Sequence, residues 1–314
     1  MNIPLFDMDY LAVGGNGFIG RALVRQLTQS GRTGRIFDFT PQLARLDGNV
    51  EYVQGNLGDE KAVRQAVQGC QVVFHLACTT HPKTSNDDPV FDVQSNVIGT
   101  IQLLDACVAA GVRRVVFVSS GGTIYGIPRR VPIPEDHPTD PICSYGITKL
   151  TIEKYLHLYH ALHGLDYAIL RPANAYGEGQ DYRRGQGAIA AFLAQTAIGQ
   201  PIEIWGDGSI VRDYVHVDDI ARALIIVSKA ELDDRVFNVG SGVGVSLNEL
   251  VYLIRGVTGR NIDICYAPSR LFDVPSVVLD VKRIQEQIHW KPRVVLEEGI
   301  QRMWKIMREG KIYA

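Results

Sequence analysis

Short apolar runs that do not alternate with polar residues, each followed by a helical pattern, fill the first half of the chain. "YLAVGG" leads into "FIGRALVRQLTQSG"; "GRIFDF" and "VEYVQGNL" follow, then a helix over "EKAVRQAVQG", then "QVVFHLA", a helix over "VQSNVIGTIQLLDACVAAG", and "RRVVFVSS". Strands that are apolar on both faces must be covered on both faces, and the intervening helices supply the covers. The predicted fold class is α/β, a doubly wound parallel sheet. From about residue 174 the regularity falters: "NAYGEGQDYRRGQGA" is a glycine- and charge-rich loop, and "PIEIWGDGSIVRDYVHVDD" mixes short strands with turns. The predicted organisation is a larger sheet domain over 1–173, completed by about 211–242, and a smaller C-terminal region formed by 174–210 and 243–314.

Composition then removes several function classes. A chain of 314 residues that is 46% hydrophobic buries a large core. The formal charge is −2 and the basic residues are scattered, which leaves no electrostatic footprint for nucleic acid or an anionic membrane. The partners expected are small molecules. Cys70, Cys78, Cys107, Cys143 and Cys265 form no C-x-x-C pair and read as reduced core thiols. "MNIPLFDMDY" has two aspartates and no basic region, and no apolar run is long enough to cross a bilayer, so the expectation is a soluble cytoplasmic protein.

The first motif with chemistry in it is "VGGNGFIG". Gly14, Gly17 and Gly20 fall where the first strand turns into the first helix. Side chains are unwelcome there if backbone amides are to approach a pyrophosphate at the helix N-terminus. With the glycines in a G-x-x-G-x-x-G spacing, the turn reads as the dinucleotide-binding turn of a Rossmann sheet. Asp38 ends the second strand eighteen residues beyond Gly20, where a carboxylate accepts from the adenosine ribose hydroxyls and repels a 2′-phosphate. The cofactor expected is NAD rather than NADP.

"CSYGITKLTIEKY" places Tyr145 and Lys149 four positions apart on a predicted helix, so the two share a face. Read by itself the pair has two meanings: a packed phenol with a solvated ammonium, or a base. With a cofactor beside it the second gains ground. Bringing a tyrosine to neutrality takes roughly 4 kcal/mol of preference for the phenolate, which two neighbouring cations, the ammonium and an oxidised nicotinamide, can supply.

"GGNGFIG", "VFHLA", "SSGGTIYG", "YGITK", "LRPANAYG" and "GDGSIVRDYVHVDD" resemble, in order and spacing from about residue 10 to residue 305, the extended short-chain dehydrogenase/reductases, most closely the nucleotide-sugar 4-epimerases such as UDP-glucose 4-epimerase. The resemblance implies that Tyr145 removes the proton of the sugar 4-hydroxyl as hydride passes to NAD, and that the 4-keto sugar turns and takes the hydride back on its other face. It also implies cofactor contacts from Gly14, Gly17, Phe18, Ile19, Gly20, Asp38, Asn56, Leu57, Leu76, Ala77, Thr79, Asn96, Ser119, Tyr145, Lys149 and Pro172. It implies substrate contacts from Asn174, the backbone of Gly187 and Ala188, Arg212 and Arg270 on the diphosphate, Asp273 on the ribose or uridine, and Val277 beside the sugar.

The chain also departs from the family pattern. Gly121 stands where relatives carry the serine or threonine that holds the 4-hydroxyl. Thr123 is the first replacement and Ser120 the second, since a glycine pair lets the turn re-aim its neighbours. "GGT" has no carboxylate, which disfavours a 4,6-dehydratase. Asn56 stands for an aspartate at the adenine amine, and Thr80 for a lysine at the cofactor phosphate. Val277 stands for a bulkier tyrosine, leaving room for N-acetylhexosamines. His157, His160 and His163 sweep around their helix without a carboxylate ligand, so no metal is expected. The stripe Ile147, Leu150, Ile152, Leu156 and Leu158, with the helix over 92–110, suits either a homodimer contact or simple core burial. A 4-reductase or dehydrogenase, and a sensor that binds without turnover, remain the alternative functions.

Overall fold

The computed structural model describes residues 8–42, 49–184, 187–269 and 274–309. In chain order its elements are β1 (Met8–Val13), α1 (Phe18–Gln29), β2 (Gly34–Asp38), β3 (Val50–Gln54), α2 (Glu60–Val67), β4 (Cys70–His75), α3 (Pro82–Asp87), α4 (Pro89–Asp92), α5 (Gly99–Ala110), β5 (Arg114–Val118), α6 (Ser144–His163), β6 (Asp166–Pro172) and β7 (Asn174–Tyr176). They continue as α7 (Ala188–Ala197), β8 (Ile202–Trp205), β9 (Val211–His216), α8 (Val217–Val227), β10 (Val236–Val239), β11 (Gly244–Ser246), α9 (Leu247–Thr258), β12 (Ile264–Ala267), β13 (Ser276–Val277), α10 (Lys282–Ile288) and α11 (Leu296–Arg308).

The chain divides into two compact units. The first comprises 1–126, 138–171 and 221–237, the second 127–137, 172–220 and 238–314. Residues 211–220, read from sequence as completing the sheet domain, pack with the second unit because β9 pairs there with β7, β11 and β13.

The first unit is built on a seven-stranded sheet ordered β10-β6-β5-β4-β1-β2-β3. The ladders from β3 through β6 are parallel. Strand order reverses between β1 and β4, the switch point at which open α/β sheets bind ligands. Register brings the carboxyl ends together: Val13 pairs with Phe37 and with His75, His75 with Phe117, and Val118 with Leu170. The runs of the inner strands are buried on both faces, with Leu11, Val73, Val115, Phe117 and Ile169 in one core with Leu103, Leu104, Ile152 and Leu156 of the helices, whereas the edge strand β3 is only partly buried. The helix predicted over 92–110 is interrupted: Val93–Ile98 is a π-helical stretch ahead of α5. Of the predicted stripe on α6, Ile152 and Leu156 are buried whereas Ile147 and Leu158 are exposed.

In the second unit β9 is the central strand, antiparallel to β11 and parallel to β7 and β13, and β8 pairs with β12. Its core gathers Ile189 and Leu193 of α7, Leu250 and Ile254 of α9, and Ile300 and Trp304 of α11. The start of α9 is fixed by a capping box in which Ser246 and Glu249 satisfy each other's backbone amides. Among the described residues no helix is long and apolar enough to cross a membrane. The five cysteines are free thiols.

Candidate active site

The turn after β1 is shaped for a close approach. Gly14 has φ +81°, and a Cβ there would lie 2.6 Å from the Ala77 nitrogen, so the turn and the β4 exit touch through backbone alone. Gly17 is the N-cap of α1 and no side chain caps the helix, which leaves its first amides to an anion; Phe18 and Ile19 form the first turn. Asp38 is buried at the end of β2, where Oδ2 accepts from the Asn16 amide at 3.0 Å and Oδ1 from Thr40 Oγ1 at 2.8 Å. These residues fit a dinucleotide: a glycine turn without side chains, an uncapped helix end and a carboxylate one strand over. Asn56 Oδ1 accepts from the Gly58 amide at 2.9 Å, while Leu57, Leu76 and Ala77 are half-buried at the exits of β3 and β4.

Asn96 and Ser119, both expected at the cofactor, bond to other groups of the chain. Asn96 is buried, its Oδ1 accepting from the Thr79 amide at 3.0 Å and its Nδ2 donating to Asp92 Oδ1 at 2.9 Å. It props the loop that carries Thr79. The Ser119 hydroxyl donates to Glu153. Thr80, at the position of the family lysine, turns inward and donates to Asp92.

The first turn of α6 is held from outside the helix. Asn86 Oδ1 accepts the Ser144 amide at 2.9 Å, and Ser85 Oγ accepts the Tyr145 amide at 3.0 Å. The fully buried Asp92 accepts from Ser144 Oγ at 2.7 Å and Thr148 Oγ1 at 3.2 Å. Gly146 lets the helix sit on the turn after β5, since a Cβ there would lie 3.0 Å from Thr123 O. Lys149 is 3% exposed. Its Nζ donates to Val118 O at 2.9 Å and lies 4.8 Å from the Phe117 ring centroid and 5.7 Å from that of Tyr145.

Burial pushes the Tyr145 hydroxyl well above the ordinary tyrosine range. The Cys78 and Cys143 thiols and the Asp92 carboxylate add to the push, while a hydrogen bond with Ser120 opposes it. Burial is the largest of these influences, and it opposes ionisation of the phenol in the chain by itself. Thr123 Oγ1 is buried with no hydrogen-bond partner. Beneath the site, His75 Nε2 pairs with Thr100 Oγ1 at 2.8 Å, and Thr100 donates onward to Asn96 O, which assigns the ring proton to Nε2. Burial, aided by the Lys149 charge, pushes this imidazole down to about 3.

The expected substrate residues fall in the second unit. Asn174 is on β7 opposite Tyr214, and Gly187 and Ala188 open α7, whose N-cap Gly187 has no side chain to cap it. Arg212 on β9 donates from Nη1 to Val274 O at 2.7 Å and pairs in register with the buried Val277 of β13. Pro172, expected at the cofactor, ends β6. Arg270 and Asp273 lie outside the described residues. Glu178, His216 and Asp218 bring potential ligand atoms within 4.8 Å of one another. His216 Nδ1 accepts the Asp218 amide at 3.2 Å at the start of α8, and Nε2 faces Glu178 Oε2 at 3.0 Å in the loop after β7.

Asp92, Glu153 and Arg171 are side chains that sequence reasoning missed. The signals were an acid inside the apolar "PVFDVQSNV" and a glutamate one turn beyond Lys149 on the same helix face.

A parallel sheet with a glycine turn at its switch point and a Tyr-x-x-x-Lys helix against its β5 end defines an extended short-chain dehydrogenase/reductase. Residues 10–240 match the model of the NAD dependent epimerase/dehydratase family. The chain is 37% identical to the UDP-glucose 4-epimerase of Mycolicibacterium smegmatis, over 96% of this chain and 99% of that one. Crystal structures of UDP-glucose 4-epimerases superpose on it: that of Thermotoga maritima with UDP-glucose (TM-score 0.92, 35% identity, 96% and 99% covered) and that of Thermus thermophilus with NAD (TM-score 0.88, 31% identity, 96% and 99% covered). The chain belongs to the NAD dependent epimerase/dehydratase family, and its cofactor is NAD.

Proposed function

We propose that the protein is a nucleotide-sugar 4-epimerase that inverts C4 of a UDP-hexose, UDP-glucose and UDP-galactose or their N-acetyl forms, through a transient 4-keto sugar. The observation that carries this reading is Tyr145, hydrogen-bonded to Ser120, beside the buried Lys149 on one face of α6. The likeness to UDP-glucose 4-epimerases along nearly the whole chain supports it.

The glycine turn and the N-terminus of α1 would hold the NAD diphosphate, with Asp38 on the adenosine ribose. Bound NAD supplies a hydride acceptor that becomes the donor on the return step, so inversion leaves no net redox change. Tyr145 takes the 4-hydroxyl proton and gives it back. Lys149, fixed by the Val118 carbonyl, steadies the phenolate. Thr123 Oγ1, a buried hydroxyl without a protein partner, receives the sugar hydroxyl, and Ser120 keeps its bond to Tyr145. In the second unit the uncapped start of α7, with Asn174, Arg212, Arg270 and Asp273, holds the nucleotide and its phosphates, which leaves the hexose unclamped to present either face. The turn Gly121–Gly122–Thr123 offers no carboxylate for dehydration. The enzyme acts in the cytoplasm as a homodimer, and the exposed apolar side chains Phe91, Ile98, Ile147, Leu158 and Leu162 support the dimer.

Incubation of the purified protein with UDP-, dTDP- and GDP-sugars, with epimers resolved by chromatography, tests the reading. An epimerase interconverts a pair of epimers with no net change at 340 nm. Stoichiometric NADH consumption or formation would instead identify a 4-reductase or dehydrogenase.

A further inference from the structure

Behind the Tyr145–Lys149 face, one guanidinium ties together segments that are distant in sequence. Arg171, near the end of β6 and 5% exposed, donates from Nε to Glu153 Oε1 at 3.0 Å and from Nη2 to Glu153 Oε2 at 2.6 Å. This is a bidentate fork, and Nη1 donates separately to Tyr125 OH at 2.9 Å. Glu153 lies on α6 one turn beyond Lys149, and its Oε1 also accepts the hydroxyl of Ser119, the neighbour of the residue whose carbonyl fixes Lys149. Tyr125, 2% exposed, follows directly on the turn that carries Ser120 and Thr123.

A buried ion pair is a poor device for stability, since apolar groups of the same volume commonly do as well or better. What the fork adds is direction, which a planar guanidinium supplies and an ammonium does not. We propose that Arg171 is a positioning residue. Through Glu153 it orients the helix face of Tyr145 and Lys149, and through Tyr125 it orients the turn of Ser120 and Thr123, so the phenol and the hydroxyls are set against one another by one group. The proposal rests on the epimerase reading, for which Tyr145 is the base.

The test uses the NAD-loaded enzyme with Tyr125→Phe, which removes the hydroxyl that accepts from Nη1 and keeps the ring, and Arg171→Lys, which keeps the charge and loses the fork. The expected result is a fall in kcat of about tenfold for Tyr125→Phe and about a hundredfold for Arg171→Lys, with KM within about twofold, as for a reacting group displaced by up to an ångström. Tyr145 ionisation is followed in parallel by ultraviolet difference absorbance against Tyr145→Phe, without substrate. In Arg171→Lys it moves to higher pH as Lys149 loses its setting. Unchanged kcat together with an unchanged titration in both variants, or a loss only of melting temperature, overturns the proposal. If the wild type inverts none of the sugars, the reading of function fails, and the titration still decides the role of Arg171.

Discussion

Lys149 and Tyr145 share one face of α6, the ammonium 5.7 Å from the centre of the phenol ring and tied at 2.9 Å to the carbonyl of Val118. A base works deprotonated, so the rate rises with pH through the phenol's ionisation. Tyr145→Phe should lower kcat by about 10³-fold or more while NAD remains bound. Lys149→Ala should move the pH-rate profile to higher pH and loosen the cofactor. Steady-state kinetics across pH and release of NAD on denaturation measure both; an active Tyr145→Phe enzyme would remove the phenol from the mechanism.

Thr123 and Ser120 are separable. Thr123→Val keeps the shape and removes a buried hydroxyl that has no protein partner, so stability should hold or rise by about 1 kcal/mol while kcat falls by about 10²-fold. Ser120→Ala removes the bond that pulls the Tyr145 ionisation down, so its main effect should be a pH profile displaced upward. Urea midpoints and kcat against pH distinguish the two.

His75 makes stability depend on pH with a definite sign. The unfolded imidazole takes a proton below about 6.5, whereas the folded one resists until about 3. Between these values the unfolded chain binds more protons, and stability is lost as pH falls. From pH 6.5 to 5 the loss from this group is about 2 kcal/mol, and His75→Gln should abolish that increment. Urea unfolding at the two pH values checks it; an equal decline in wild type and variant contradicts the assignment.

Phe91 and Leu162 are exposed on α4 and α6. In a dimer that buries this face, Phe91→Asp with Leu162→Asp should give monomers by sedimentation velocity, with the melting temperature of the monomer little changed. An unaltered dimer would place the interface elsewhere.

Val277 is 5% exposed beside Arg212 on the neighbouring strand. Val277→Tyr should cut kcat/KM for UDP-GlcNAc by about tenfold or more and spare UDP-glucose, since added bulk penalises the larger substituent. Equal losses on both sugars would make Val277 ordinary core.

The readable parts of the site were those whose logic is local. Gly14, Gly17 and Gly20 sit within one turn, Asp38 ends the next strand, and Tyr145 and Lys149 are one helical turn apart, so spacing alone reports their geometry. Non-alternating strands reported the parallel sheet for the same reason. The supporting shell was not readable, because Arg171 meets Tyr125 across 46 positions and Asp92 meets Ser144 across 52, separations at which no periodicity applies. Asn96 and Thr80 are further cases: both bond to Asp92, a partner that no spacing in the sequence indicates. Nothing in "VQSNVI" announces the π-helical stretch that interrupts the helix there.

The borrowed cap of α6 has a kinetic consequence. Its opening amides are protected by Ser85 and Asn86, which belong to a six-residue helix with little of its own to hold it. When that short helix frays, the Ser144 and Tyr145 amides lose their acceptors in the same event, so solvent deuterium should enter both segments at one common rate while the later turns of α6 stay closed.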